Sequence, residues 1–348
     1  MTPKTKTAGL AGLLSTAIAA TALIGSTAAM AETTTIGLPS NHSFFGMPLY
    51  VAEDLGYFGE LEIEYMIFNG GSDVARQVAN GAAEIGFAQP TEILITSLAT
   101  NGETLPVEYW YMLEPHTMNQ IAVPVDSDIQ TFDDIRGKVI GISRHTASNV
   151  AQFRTVLERH GLDPDIDVVW RTVGLGGEHL QALESGTIDV SATNNMRHAG
   201  YEFAGVPLRV IPIPDTEDQF GNGLFSQIST VADPAAHARL VTVARGVARA
   251  TTYCNENPAA CVEILYSRFP EMQSGERNDG ENLNFGLGQV AARNATMALR
   301  DDQSNVYGFF PQSLWDASVE FLSSTIEIPE GFDVSVLYTN AIAIEAAE

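Results

Sequence analysis

The feature that most constrains the fold is an internal repeat in the first half of the chain. An ungapped offset of 105 positions aligns residues 56–90 with residues 161–195, and glycines, acidic residues and apolar residues coincide across the span. Each copy has the pattern of strand, turn, helix, glycine and strand, which is typical of a βαβ unit. The repeat therefore predicts two lobes of the same build.

Glycines mark the predicted helix ends in both copies. Gly81 and Gly186 occupy equivalent positions after a helix, and Gly56 and Gly161 end the preceding helices in the same way. Because glycine lacks Cβ, it readily adopts the left-handed conformation that commonly closes a helix. These four positions therefore define where the predicted helices end.

Strand and helix signals alternate from residue 33 to about residue 213, which favours an α/β fold with mostly parallel sheets. From residue 234 onward the pattern is helical, and we expect these helices to return to the first lobe and pack around it. Each lobe would present the carboxyl edge of its sheet to a cleft between the lobes. The C-terminal helices are predicted over residues 235–253, 258–268, 282–299 and 311–325.

The N-terminus has the pattern of a secretory signal peptide. Lys4 and Lys6 precede an apolar run over residues 8–24, and small residues surround the predicted cleavage site after Ala31. The residue directly after that site is Glu32 and not a cysteine, which argues against a lipid anchor. No later segment reaches the roughly 20 apolar residues that cross a bilayer. We therefore expect a soluble, exported protein that is located in the periplasm and begins at Glu32.

The charge balance excludes one class of partner. The chain has 43 acidic and 18 basic residues and a formal net charge of −25. Such a surface repels nucleic acid and anionic lipid, so neither is expected to bind. An anionic ligand would need a local positive site.

The two cysteines, Cys254 and Cys261, lie close together in the sequence. Because an exported protein meets oxidising conditions, we predict a disulfide between them. With no further cysteine and only scattered histidines, neither a metal site nor a cofactor is expected.

Several short segments of the mature chain carry a familiar set of motifs. They read PLYVAEDLGYF at residues 48–58, GAAEIG at 81–86, DSDI at 126–129, DDIRGK at 133–138 and LESGTID at 183–189. Together they resemble the solute-binding proteins of nitrate/sulfonate/taurine-type ABC importers, a family that also includes binders of the thiamine pyrimidine precursor. Residues 58–61 (FGEL) depart from the pattern of many members, which puts one surface turn in doubt.

The resemblance implies a type II periplasmic-binding-protein fold, in which two similar α/β lobes are joined by a two-crossover hinge and enclose a ligand cleft. We expect the first lobe to comprise residues 32–115 and 222–348, and the second lobe residues 116–221. It also implies a monomer that captures a small molecule and delivers it to an importer permease with its ATPase. No catalytic residue is expected.

Candidate ligand contacts lie in the turns that follow the predicted strands. In the first lobe they are Ser40, Asn41, His42, Phe44, Gly70, Gly71, Ser72, Gln89, Thr91, Glu92 and Tyr111. In the second lobe they are Arg144, His145, Thr146, Gly176, Asn194, Asn195 and Arg197.

Most of these residues have a competing structural role. Arg144 and Arg197 either bind an acidic ligand in bidentate fashion or pair with a neighbouring carboxylate. Glu92 and Glu114 either hold a cationic or hydrogen-bond-donating ligand or are solvated or helix-capping carboxylates. Ser72 and Thr146 are candidate helix caps. Of the alternating pair Trp110 and Tyr111, one side chain should face the cleft.

The function that these observations favour is solute binding by hinge closure. The main alternative is an enzyme on the same fold, of the vitamin or cofactor biosynthesis type, and a third is the sensor domain of a signalling system. Sulfonates, nitrate-like anions, pyrimidines and aromatic or other organic acids all stay open as ligands.

Overall fold

The structure is a computed structural model that describes residues 33–98, 104–145, 147–174, 176–323, 327–329 and 332–348. The predicted signal peptide and Thr146 lie outside these residues. The strands are β1 (Thr33–Leu38), β2 (Glu62–Ile67), β3 (Ile85–Ala88), β4 (Val107–Met112), β5 (Asn119–Pro124), β6 (Val139–Ile142), β7 (Val169–Thr172), β8 (Val190–Asn194), β9 (Leu208–Ile211) and β10 (Gly223–Gln227).

Helices cover both faces of the strands. They are α1 (Met47–Asp54), α2 (Gly71–Ala79), α3 (Pro90–Leu98), α4 (Ser148–Arg159), α5 (Gly177–Glu184), α6 (Asn195–Phe203), α7 (Ile228–Ala232), α8 (Pro234–Glu256), α9 (Pro258–Arg268), α10 (Asp279–Met297), α11 (Gln312–Ser323) and α12 (Ala341–Ala347). Short 3₁₀ turns cover Phe44–Gly46, Phe132–Ile135, Pro270–Met272, Asp301–Gln303 and Val334–Leu337.

The strands form two sheets with the same topology. The first has the order β2-β1-β3-β10-β4 and the second the order β7-β6-β8-β5-β9. In each sheet the first three strands are parallel, and the fourth runs antiparallel to both of its neighbours. The prediction of two similar α/β lobes is therefore confirmed, with mixed sheets in both.

The repeat glycines have the backbone conformation that their positions require. Gly81 and its equivalent Gly186 have φ values of 77° and 67°, and Gly56 and Gly161 have 68° and 72°. A residue with a Cβ would be strained in this left-handed region, so glycine ends each helix without cost.

The chain passes between the sheets twice. After β4 it crosses to β5 over residues 113–118, and after β9 it returns to β10 over residues 212–222. We call these two segments the crossovers, and we call each sheet with its covering helices a lobe. The boundaries expected after residues 115 and 221 fall within the crossovers.

The C-terminal helices differ from expectation in one respect. Helix α8 packs against α1 and α12 of the first lobe, as expected, but α10 packs against α6 of the second lobe as well as against α9. Gly200 allows this approach, because a methyl group built there would lie 3.3 Å from the ring of Phe285. Helix α10 therefore bridges the lobes.

No helix in the described ranges combines the length and the apolar character that crossing a bilayer requires.

A disulfide joins Cys254, near the end of α8, to Cys261 in α9. Both residues are fully buried. The bond closes a short loop that contains the corner between the two helices, where Pro258 begins α9.

Replacing both cysteines, as Cys254→Ala with Cys261→Ala, should lower the free energy of unfolding by about 2.5 kcal/mol. Without the bond the unfolded chain gains conformational entropy, and the gain is modest because the closed loop is short. Urea denaturation of the oxidised protein and the double variant measures the difference. Reduced wild-type protein is the control and should resemble the variant. Equal stability of all three would contradict the prediction.

Candidate functional site

The candidate turns of both lobes lie at the carboxyl ends of parallel strands, and at one point they meet. Gly70 follows β2 and precedes α2, and Arg144 follows β6. A methyl group built on Gly70 would lie 3.8 Å from Nη2 of Arg144. These two residues therefore approach each other across the crevice between the lobes.

Two arginine side chains at the second lobe's edge have no acidic partner among the residues that the structure describes. Arg144 and Arg197 are exposed, and among the described residues no carboxylate oxygen lies within 4 Å of either guanidinium. The alternative that each pairs with a neighbouring carboxylate is therefore not seen here. Both remain free to bind an anion.

Glu92 has a structural role. Its Oε2 accepts a hydrogen bond from the backbone N–H of Gln89 at 3.1 Å, which caps the start of α3. The same carboxylate packs against Gly71, the first residue of α2, and a side chain at that glycine would overlap it. The first lobe thus carries its own carboxylate at a helix N-terminus, where negative charge is favourable.

Two candidate contacts belong to the hydrophobic core instead. Tyr111 is 1% exposed and Phe44 is 5% exposed. Trp110 is also fully buried, and its indole N–H donates to the hydroxyl of Ser226 at 3.0 Å. The expectation that Trp110 or Tyr111 faces the cleft is therefore wrong, because helices cover both faces of this sheet.

His42 is also engaged by its own lobe. Its ring stacks on Phe269 with centroids 4.4 Å apart, and Nδ1 lies 2.8 Å from the hydroxyl of Tyr50. Burial, together with the nearby positive charge of Arg268, lowers the pKa of His42. The ring is thus a neutral part of an aromatic cluster.

The asparagine pair after β8 organises the start of α6. Asn194 caps the helix by accepting from the backbone N–H of Arg197 at 3.0 Å. Asn195 donates to the backbone carbonyl of Ala292 in α10 at 2.6 Å. Ser72 is not the cap of α2, because the capping position is Gly70.

The remaining candidates differ in exposure. Ser40, Asn41, His145 and Gly176 are exposed at the ends of their strands, whereas Gln89 is 8% exposed and Thr91 is half-buried in the first turn of α3.

The sequence did not reveal a buried ion pair at the hinge. Glu114 in the first crossover pairs with Arg293 of α10, and both side chains are fully buried. Oε2 of Glu114 also accepts from the backbone and the side-chain amide of Asn222 in the second crossover, both at 2.7 Å. Burial lowers the pKa of Arg293 to about 9, which still leaves it charged at neutral pH.

A second buried polar network lies in the second lobe. Nδ1 of His179 lies 3.0 Å from the carbonyl oxygen of Gly174, and Nε2 lies 2.8 Å from the hydroxyl of Ser191. That hydroxyl and the hydroxyl of Thr193 both lie 3.0 Å from Nε2 of His198. Because a carbonyl oxygen can only accept, His179 carries its proton on Nδ1 and accepts from Ser191.

This network is neutral. Burial lowers the pKa of His179, and burial, together with the nearby His179, lowers the pKa of His198 to about 3. Both rings are buried. Within the described ranges, no group of three or more His, Cys, Asp or Glu residues is arranged to hold a metal ion.

Comparison with known proteins matches a family model described as NMT1/THI5 like to residues 43–261, which is more than half of the chain. A search of curated proteins finds no match.

Solved structures share the fold at low sequence identity. The periplasmic aliphatic sulphonate binding protein SsuA from Escherichia coli has a TM-score of 0.63 and 14% identity, with 88% of this chain and 92% of that chain covered. The periplasmic nitrate-binding protein NrtA from Synechocystis PCC 6803 has a TM-score of 0.58 and 13% identity, with 91% of this chain and 88% of that chain covered. The desulfurization enzyme DSZB has a TM-score of 0.56 and 14% identity, with 91% of this chain and 99% of that chain covered.

Replacing Arg293 by methionine should lower the free energy of unfolding by about 3–5 kcal/mol, because Glu114 would be left buried without its cation. The double variant Glu114→Gln with Arg293→Met should recover part of the loss. Urea denaturation measures the free energy of unfolding of both variants. The control is Arg154→Met, which removes an exposed pair with Asp165 and should cost at most about 1 kcal/mol. A single variant as stable as this control would refute the role of the pair.

Replacing His198 by glutamine should flatten the pH dependence of stability. In the unfolded chain a histidine binds a proton below about pH 6.5, whereas folded His198 does so only near its lowered pKa of about 3. The contribution of neutral His198 to the free energy of unfolding should therefore be fully present above about pH 6.5. Below that pH it should decline by up to about 1.4 kcal/mol per pH unit. Urea denaturation between these limits should show a shallower decline in His198→Gln than in wild type or in the exposed control His145→Gln; parallel curves would contradict this.

Proposed function

Because the chain belongs to the NMT1/THI5-like family, we propose that it is the solute-binding component of an ABC importer and captures a small molecule between its two lobes. The observation that carries this proposal is the approach of Arg144 to Gly70 across the crevice. A ligand that contacts both would connect two lobes that are otherwise joined by the crossovers and α10.

The proposed mechanism is hinge closure without covalent chemistry. A ligand shifts the equilibrium between open and closed states only if it binds the closed state more tightly, so it has to contact both lobes. From the first lobe we propose Ser40, Asn41 and Gly70 as contacts, and from the second lobe Arg144, His145, Gly176 and Arg197. The importer would then recognise the closed state.

Location and partners follow from the same proposal. We propose export by the signal peptide, cleavage after Ala31, and action as a periplasmic monomer that docks on a membrane permease with its ATPase. The lobes are proposed to comprise residues 32–115 with 222–348, and residues 116–221.

The chemistry of the crevice favours an anion. Arg144 and Arg197 lack a carboxylate partner among the described residues, whereas Glu92 is engaged at the starts of α2 and α3. Sulfonate and nitrate are the ligands of two structural neighbours, and both are compatible with this arrangement.

An enzyme on the same fold is the alternative, since DSZB shares the architecture. The only two cysteines of the chain are bonded to each other, so neither supplies a thiolate nucleophile. Turnover of a bound compound by the purified protein would favour the enzyme.

Arg144→Gln should weaken binding by roughly tenfold, the loss of a charge-assisted contact. A thermal-shift screen of taurine, alkanesulfonates, nitrate, benzoate and an aminopyrimidine identifies the compound, because a ligand of the native state raises the Tm. Small-angle scattering should then show that this compound reduces the radius of gyration.

The matched control is Arg154→Gln, which removes an exposed pair with Asp165 and should bind like wild type. A bound compound that leaves the radius of gyration unchanged would count against hinge closure. Unchanged affinity in Arg144→Gln would remove this residue from the site.

A further inference from the structure

A cavity of about 210 Å³ lies where the second lobe meets α10. Its walls come from the start of α5, from one face of α6 and from α10. The residues that matter for its chemistry are Gly176, Arg197, Tyr201, Arg277 and Phe285. Gly176 and Arg197 are also candidate ligand contacts from the sequence. Arg277, which precedes α10, and Phe285, which lies in α10, were not predicted as contacts.

The cavity is positive in a strongly acidic protein. The chain has 43 acidic residues, yet none of those that the structure describes lines this cavity, whereas Arg197 and Arg277 do. Within the described part of the chain, neither guanidinium has a carboxylate oxygen within 4 Å. Other arginines, such as Arg239 and Arg268, pair with glutamates at 2.7 Å. An anion here would pair with two cations that have no carboxylate partner among the described residues.

Aromatic rings give the cavity flat apolar walls. The guanidinium of Arg277 stacks over Phe285 at 4.0 Å and over Phe203 at 5.3 Å. Tyr201 is 6% exposed and stacks on His179 with centroids 5.5 Å apart. The rings are thus fixed by their neighbours before any ligand arrives.

The walls are also fixed relative to one another. Gln289 of α10 donates to the backbone carbonyl of Met196 in α6 at 2.8 Å, next to the bond from Asn195 to Ala292. A preformed cavity saves a ligand the cost of ordering its surroundings.

We propose that this cavity binds a small organic acid with a flat apolar body, whose acid group pairs with Arg197 and Arg277 and whose body packs against Tyr201 and Phe285. The proposal rests on the proposed function, because it identifies the class of ligand that the chain captures and places that ligand between the second lobe and α10. The size is suitable, since an apolar cavity of roughly 150 Å³ holds benzene.

Isothermal titration calorimetry of the full mature chain tests the proposal with four probes. Benzoate and benzenesulfonate carry both the acid and the ring, nitrate carries only a negative charge, and benzylamine carries the ring with a positive charge. We expect the two aromatic acids to bind at least about tenfold more tightly than nitrate or benzylamine.

Three variants locate the site. Arg197→Gln and Arg277→Gln should each weaken benzoate binding by roughly tenfold, and Leu180→Trp should abolish it by filling the cavity, which Leu180 lines. Arg76→Gln, which removes a pair with Asp73, should bind like wild type. An unchanged Tm of each free variant shows that it is folded.

The proposal is overturned if neither aromatic acid binds at about 1 mM, if benzylamine binds as tightly, or if both arginine variants retain full affinity. If another compound then compacts the protein, the ligand class is wrong and the proposed function stands. If benzoate binds as expected but scattering shows no compaction, the cavity is correct and the transport mechanism fails.

Discussion

The buried ion pair between Glu114 and Arg293 is the interaction on which the two-lobed arrangement depends. Through Asn222, the carboxylate of Glu114 joins two crossovers that are 108 residues apart in the chain. Its cation comes from α10, which also packs against α6 of the second lobe. Because both charges are fully buried, separating them would cost several kcal/mol. The cluster is therefore expected to stay intact during closure, and the chain should bend on either side of it.

The repeat was sufficient to predict the parallel part of both sheets. Equivalent glycines close equivalent helices, and the helices and strands of the two copies coincide in the structure at the offset read from the sequence. The antiparallel strands could not be placed in this way, because β10 pairs with β3 across more than 130 residues of chain. The bridging role of α10 was missed for a similar reason. It depends on the close approach of Phe285 to Gly200, and an amphipathic pattern does not identify the partner of a helix.

The sequence indicated which turns follow the strands but not which of their side chains are buried. Parallel strands bring their carboxyl ends to one edge, and the turns of Gly70 and Arg144, which follow such strands, lie close to each other. The same reasoning failed for Phe44, which lies in a 3₁₀ turn whose ring packs into the core. It also failed for Tyr111, because alternation along a strand indicates two faces without showing which of them a helix covers. Arg277 and Phe285 were missed because their segment was assigned to the first lobe alone.

The candidate contact surfaces of the two lobes differ in charge, and this difference bears on the order of binding. At the starts of α2 and α3 the first lobe already holds the carboxylate of Glu92, so an approaching anion finds no uncompensated positive charge there. Arg144, Arg197 and Arg277 provide that charge on the side of the second lobe and α10. An anion should therefore associate with that side first, where the cavity is preformed. The first lobe would then close over the bound ligand through backbone groups and neutral side chains, such as those around Gly70 and Asn41, because only interactions that form on closure favour the closed state.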